Sequence, residues 1–181
     1  MTSVFDHPDF DAHEDVHFLT DRGSGLRGII AVHSTLLGPA LGGTRLLAYP
    51  NDAAALTDVL RLSRGMTAKA AMAGLPLGGG KAVILADPAT DRGRVLDAFA
   101  LQLERLGGRF VTGEDVGISE ADADRIHHRT RFITGVSGIE GGLGDPSPRT
   151  AEGVLGAMRA ALGHSSHSHD DRGLRGRRVV T

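Results

Sequence analysis

The stretch Gly78-Gly79-Gly80-Lys81-Ala82-Val83-Ile84-Leu85-Ala86 decides the fold. Residues 82–86 are a short unbroken apolar run, the pattern of a strand covered on both faces. Downstream, residues 91–106 place Val95, Leu96, Phe99, Leu103 and Leu106 on one helical stripe, and Arg109-Phe110-Val111-Thr112 is a further strand ending at Gly113-Glu114-Asp115. Upstream, Val16-His17-Phe18-Leu19-Thr20, the turn Arg22-Gly23-Ser24-Gly25 and a returning strand over residues 26–34 form a hairpin. Residues 37–43 read as a loop and 44–49 as another strand. Asn51 is placed to cap a helix reaching Gly65, and a second short helix over 66–73 stops at Gly74. Ser119 with Asp122 resembles a capping box that opens a helix to about Arg129. Phe132-Ile133-Thr134 forms one more short strand, 135–148 a Gly-rich loop, and 150–162 a helix with Val154, Leu155, Met158 and Leu162 on one face. This alternation predicts an α/β domain: a single open twisted mixed sheet flanked by helices. From Gly163 the chain turns to His, Ser and Asp, which predicts a surface loop, and Val179-Val180-Thr181 opens a strand.

Composition narrows the function classes. The chain has 181 residues and a net charge of −2, so no global field recruits nucleic acid or an anionic membrane. There is no cysteine, which excludes disulfides, thiolate metal sites and a cysteine nucleophile. No apolar run approaches the ~20 residues of a membrane span. The start, Met1-Thr2-Ser3-Val4-Phe5-Asp6-His7, lacks the basic and apolar regions of a signal peptide, so a cytoplasmic protein is expected.

Of the 20 basic residues only Lys69 and Lys81 are lysines. Arginine keeps its proton at any working pH, whereas lysine can release one when its pKa is lowered. An Arg-rich coding bias would produce the same count. Gly78-Gly79-Gly80-Lys81 is not a phosphate-binding loop: Leu75 stands where the first glycine belongs, Ala82 replaces the Ser/Thr, and a strand follows instead of a helix. What remains is a tight glycine turn with a lysine at its lip.

Lys69, Lys81 and Asp115 form the candidate constellation. All three have apolar or glycine neighbours, where an unpaired charge is costly. Two lysines close together would lower each other's pKa, and a carboxylate would balance them. One cation could fix a substrate carboxylate, one could polarise a carbonyl, and the aspartate could move protons. Snorkelling lysines and a loop aspartate would give the same residues. His164, His167 and His169 with Asp170 and Asp171, and the run Arg172, Arg175, Arg177 and Arg178, read as a solvated linker, so no metal site is expected.

Five segments occur in a recognisable order: Leu41-Gly42-Gly43-Thr44-Arg45, Gly65-Met66-Thr67-Ala68-Lys69, Leu77-Gly78-Gly79-Gly80-Lys81, Thr112-Gly113-Glu114-Asp115-Val116-Gly117 and Gly144-Asp145-Pro146-Ser147-Pro148. Over about residues 15–162 the chain resembles the N-terminal domain of the glutamate/leucine/phenylalanine/valine dehydrogenases. The resemblance implies oxidative deamination of an L-amino acid to its 2-oxo acid, with NAD or NADP as hydride acceptor. It implies that Lys69 pairs with the substrate α-carboxylate, Lys81 activates water, and Asp115 shuttles protons. Gly42 and Gly43 would let backbone approach the substrate, Met66 and Gly113 would line its site, and Arg45 and Thr150 would touch the NAD cofactor. Glutamate dehydrogenases carry a lysine before the Gly-Gly pair; here Leu41 stands there, so an apolar substrate of the valine, leucine or phenylalanine type is expected. Leucine dehydrogenases typically have alanine where this chain has Gly113; glycine is expected to leave more room.

The resemblance also sets the domain expectations. Residues 1–150 would be a substrate-binding and oligomerisation domain, 151–163 an interdomain helix, and 164–181 a linker with the start of a truncated nucleotide-binding domain. No G-x-G-x-x-G that leads from a strand into a helix occurs, since Gly23-Ser24-Gly25-Leu26-Arg27-Gly28 lies in the hairpin, so the family's Rossmann domain is expected to be missing. A homo-oligomer is expected, and so is a chain inactive by itself. The rival expectation is a non-catalytic oligomerisation module.

Overall fold

A computed structural model of the chain describes residues 3–137 and 146–165. It divides into two compact units between residues 144 and 145. The readings placed on residues 138–145 and 166–181, including most of the His/Asp tract, the arginine run and Val179-Val180-Thr181, lie outside the described residues.

The first unit holds a six-stranded mixed sheet. Strands β1 (Asp15–Asp21) and β2 (Leu26–Ser34) form the expected hairpin, and β2 pairs antiparallel with β5 (Gly78–Leu85). On its other side β5 meets two parallel segments in succession. The first is β3 (Ala40–Leu41), opposite Gly78 and Gly79; the second is β4 (Thr44–Leu47), opposite residues 82–85. Strand β6 (Phe110–Val111) extends the sheet beyond β3. The expected strand at Phe132-Ile133-Thr134 is a single bridge between Thr112 and Ile133.

Side chains alternate across β5, and each face receives its own helices. Helix α1 (Asp52–Met72) covers the face of Ile29, Ala31 and Val83 with Ala55, Val59 and Leu60. Helices α2 (Arg92–Arg105) and α3 (Glu120–His127) cover the opposite face, where Leu96, Phe99, Leu103 and Ile126 pack on Ile30, Val32 and Ile84. The caps follow the sequence. Asn51 accepts the Ala54 N–H at 2.9 Å, Asp91 accepts the Arg94 N–H at 3.1 Å, and Ser119 and Asp122 form a reciprocal capping box.

Three expectations are corrected. The two helices expected over 51–73 are one: Gly65 lies inside α1 without positive φ, and the helix ends at Gly74, whose φ is +66°. The loop expected over 37–43 contains β3. The glycine turn expected at 78–80 is the buried beginning of β5. A Cβ on Gly79 would lie 2.1 Å from the Thr67 nitrogen, and one on Gly80 2.6 Å from the Phe110 ring. The glycines do serve a close approach, but of α1 and Phe110 to the strand.

The second unit is described through helix α4 (Ser147–Ser165), which runs beyond the expected span of 150–162 and through the start of the expected surface loop. Among the described residues no helix is long and apolar enough to cross a membrane.

Candidate active site

Register decides which side chains meet. On β5, Gly79, Lys81 and Val83 point to the α1 face, and their cross-strand partners Leu41 on β3, Ala31 on β2 and Arg45 on β4 share it. Between β3 and β4 the ladder is interrupted at Gly42 and Gly43. The Gly42 N–H bonds to the Val111 carbonyl at 3.2 Å and the Thr44 N–H to the Gly113 carbonyl at 2.9 Å. The interruption lies beside Lys81, where the segment after β6 brings Asp115 over the sheet.

Lys81 is 4% exposed, and its Nζ donates to Asp115 Oδ2. The other carboxylate oxygen, Oδ1, accepts the Val116 N–H at 2.6 Å and the Arg45 Nε–H at 3.2 Å. Arg45 also reaches α1, donating from one terminal nitrogen to both Asp58 oxygens at 3.2 and 3.0 Å, and the Tyr49 hydroxyl donates to Asp58 Oδ2 at 2.8 Å. Two cations and two carboxylates therefore alternate as Lys81, Asp115, Arg45, Asp58.

This arrangement shifts the groups in physically assignable directions. Burial pushes the Lys81 ammonium below the usual lysine range; Asp115 opposes that push, and Arg45 adds to it. Burial alone would raise Asp115. The Lys81 hydrogen bond, the Val116 N–H and the two cations outweigh it and hold the carboxyl below its ordinary value. Tyr49 is pushed upward by burial and by its bond to Asp58. A buried lysine that loses its proton more readily than a free one, touching an ionised carboxylate, is a proton-transfer pair.

The remaining expected residues fall around this pair in different ways. A Cβ on Gly42 would lie 1.8 Å from the Gly80 carbonyl oxygen and 3.3 Å from Met66 Cγ; one on Gly43 would lie 2.8 Å from Asp115 Cβ. Met66 is thus against Gly42, and what the two glycines admit here is the chain's own backbone and Asp115. Lys69 is exposed on α1 and has no ion pair among the described residues. It follows Met66 by three residues and Asp58 by eleven, so all three lie along one side of the helix. The expectation that Lys69 depresses Lys81 is corrected: the cation doing so is Arg45. The room expected at Gly113 is filled, because a Cβ there would lie 2.8 Å from Thr134 Oγ1. Thr150 belongs to the second unit, where its hydroxyl donates to the Pro146 carbonyl at 3.0 Å. No group of three or more His, Asp or Glu fit to hold a metal ion occurs among the described residues. Sequence reasoning missed Asp58 and Tyr49. The available signal was Asp58 beside the buried Val59 and Leu60, where an acidic side chain at the edge of an apolar face needs a partner.

The profile of the Glu/Leu/Phe/Val dehydrogenase dimerisation domain matches residues 13–132. A leucine dehydrogenase of Bacillus subtilis (strain 168) is 51% identical over 150 residues, 82% of this chain and 41% of that protein. A valine dehydrogenase of Streptomyces virginiae is 50% identical over 174 residues, 96% of this chain and 48% of that protein. The crystal structure of L-tryptophan dehydrogenase from Nostoc punctiforme superposes with a TM-score of 0.70 at 43% identity, over 87% of this chain and 44% of that one. The chain thus spans less than half the length of these relatives. The chain belongs to the Glu/Leu/Phe/Val dehydrogenase family and carries its dimerisation domain.

Proposed function

We propose that this chain is the substrate-binding domain of an amino-acid dehydrogenase acting on an apolar L-amino acid. The observation that carries the reading is the buried Lys81–Asp115 pair at the interruption between β3 and β4, with Lys69 on α1 exposed and without an ion pair among the described residues. Lys69 supplies a cation for the α-carboxylate. Asp115, ionised at neutral pH, takes a proton from the amine, and Lys81 draws a proton from the water that attacks the carbon. Leu41 lies on the same face and offers no charge to a side-chain carboxylate, which favours an apolar substrate. The named relatives act on leucine, valine and tryptophan, all with largely apolar side chains.

The family implies a nicotinamide nucleotide, taken as NAD, to accept the hydride. The described residues fit a nucleotide site poorly. Arg45 is balanced by Asp58 and Asp115, Thr150 already donates to a carbonyl, and there is no glycine-rich strand-to-helix turn for a pyrophosphate. We therefore assign the nucleotide to protein outside these residues and take no step through it. Self-association is also proposed: the matched family domain is named for dimerisation, and β1 is an edge strand whose Phe18 is 59% exposed.

Steady-state assay of the chain joined to a family nucleotide-binding domain tests the reading. Nicotinamide reduction should be faster with leucine, valine or phenylalanine than with glutamate. Faster turnover with glutamate overturns the substrate assignment. A stable oligomer with no turnover on any of them favours a purely oligomeric module.

A further inference from the structure

Arg45 presents one side of its fork to Asp115 and another nitrogen to Asp58, and Tyr49 holds Asp58 in turn. These residues come from four places: β4 gives Arg45, the segment after it Tyr49, α1 Asp58, and the segment after β6 Asp115. An arginine can serve two carboxylates at once because its donors diverge in one plane; a lysine would collapse onto one of them. We propose that Asp58 and Tyr49 are positioning residues for the proton-transfer pair: they hold Arg45 so that it fixes one oxygen of Asp115 and leaves the other to Lys81. The inference rests on the reading of Lys81 and Asp115 as the reacting pair.

The electrostatics give the arrangement its direction. Among the described residues the charged groups that act most on Lys81 are Asp115, Arg45 and Asp58; Ala31, opposite it on β2, carries none. Without Asp58, Arg45 would keep its whole charge for Asp115 and compete with Lys81 for the carboxylate. Loss of the Asp58 charge and stronger competition from Arg45 both weaken the hold on the Lys81 proton. With Asp58 in place the four groups sum to zero and Arg45 is held between two anions. Asp58 therefore sets how tightly Lys81 keeps its proton without touching it.

Two features of the composition make this measurable without substrate. With two lysines, a chain labelled with ¹⁵N/¹³C-lysine gives two side-chain signals; with one tyrosine and no tryptophan, ultraviolet titration reads Tyr49 alone. In Asp58→Asn the Lys81 midpoint should fall by ~1 pH unit, the size of a single nearby charge. The Tyr49 midpoint should return toward its ordinary ~10, and Lys69, about three helical turns along α1, should not move. Tyr49→Phe should lower Lys81 in the same direction by less, and Asp58→Glu should restore it. In the active enzyme the lysine limb of the kcat–pH profile should move with the Lys81 midpoint while KM stays near its value. If Asp58→Asn does not fold, Tyr49→Phe carries the test. A Lys81 midpoint that is unchanged or raised in every folded variant overturns the proposal. A chain that shows the coupling but binds no amino acid overturns the proposed function and leaves the coupling standing.

Discussion

The Cβ that Gly43 lacks would lie 2.8 Å from Asp115 Cβ, closer than real side chains approach, and 3.2 Å from its Oδ2. Gly43 is therefore the space into which the carboxylate meeting Lys81 is folded. Since the same Cβ would meet the Glu114 carbonyl at 2.6 Å, the segment itself must move to accept it.

Gly43→Ala should accordingly separate Asp115 from Lys81. In the full enzyme the expected cost is ~10²-fold or more in kcat, the scale of a lost acid–base group. Circular dichroism and the denaturation midpoint check that the sheet survives. Near-normal kcat in a folded Gly43→Ala protein would mean that the Lys81–Asp115 contact is not needed for turnover.

Lys81→Arg keeps the charge but not a releasable proton, and the larger fork must enter a position that is 4% exposed. A loss of ~10²-fold or more in kcat is expected. Lys69→Ala should chiefly raise KM, because that exposed cation binds ground and transition states alike. Steady-state kinetics on both variants distinguishes the roles; the reverse pattern would exchange them.

Gly65→Ala tests a feature of the helix itself. Gly65 is exposed inside α1, has no positive φ, and a Cβ there meets nothing within 4 Å. Replacement should stabilise the chain by about 0.5–1 kcal/mol through helix propensity alone. Urea denaturation reads the difference, and a destabilised variant would show that Gly65 is held for a contact the fold does not reveal.

Asp122 ties the capping box to Arg92. Burial would raise its carboxyl, but the bonds from Arg92 and Ser119 bring it down to about 2. A carboxyl depressed on folding contributes stability above its unfolded value near 3.8, and that contribution disappears as pH falls through about 2. Thermal melts from pH 5 down to 2 should show Asp122→Asn less stable than the parent at the upper end and converging with it at the lower end. A constant difference would place the origin elsewhere.

What could be read in advance was what neighbouring residues decide. Asn51, Ser119 and Gly74 mark helix ends through bonds or φ angles within a few positions of themselves, and all three act as expected. Gly78, Gly79 and Gly80 were misread because the atoms that forbid a Cβ there belong to Ser34, Thr67 and Phe110, all remote in sequence. Strand β3 has two residues and exists only through its partners on β5 and β6. Within the site, the scarcity of lysine marked Lys69 and Lys81, and Asp115 stood out as a charge at a strand end among apolar and glycine neighbours. The bond from Arg45 to Asp58 depends on β4 register and on the rotation of α1, neither of which is written in the linear sequence.

The most direct measurement of the central claim is the two-signal spectrum of the lysine-labelled chain during titration with the 2-oxo acid derived from leucine, with 2-oxoglutarate in parallel. The account predicts that the signals of Lys69 and Lys81 both move with the leucine-derived acid, saturate together, and respond more weakly to 2-oxoglutarate. Signals that stay fixed with both acids, or that move more readily with 2-oxoglutarate, would contradict a site for apolar amino acids built around Lys69, Lys81 and Asp115.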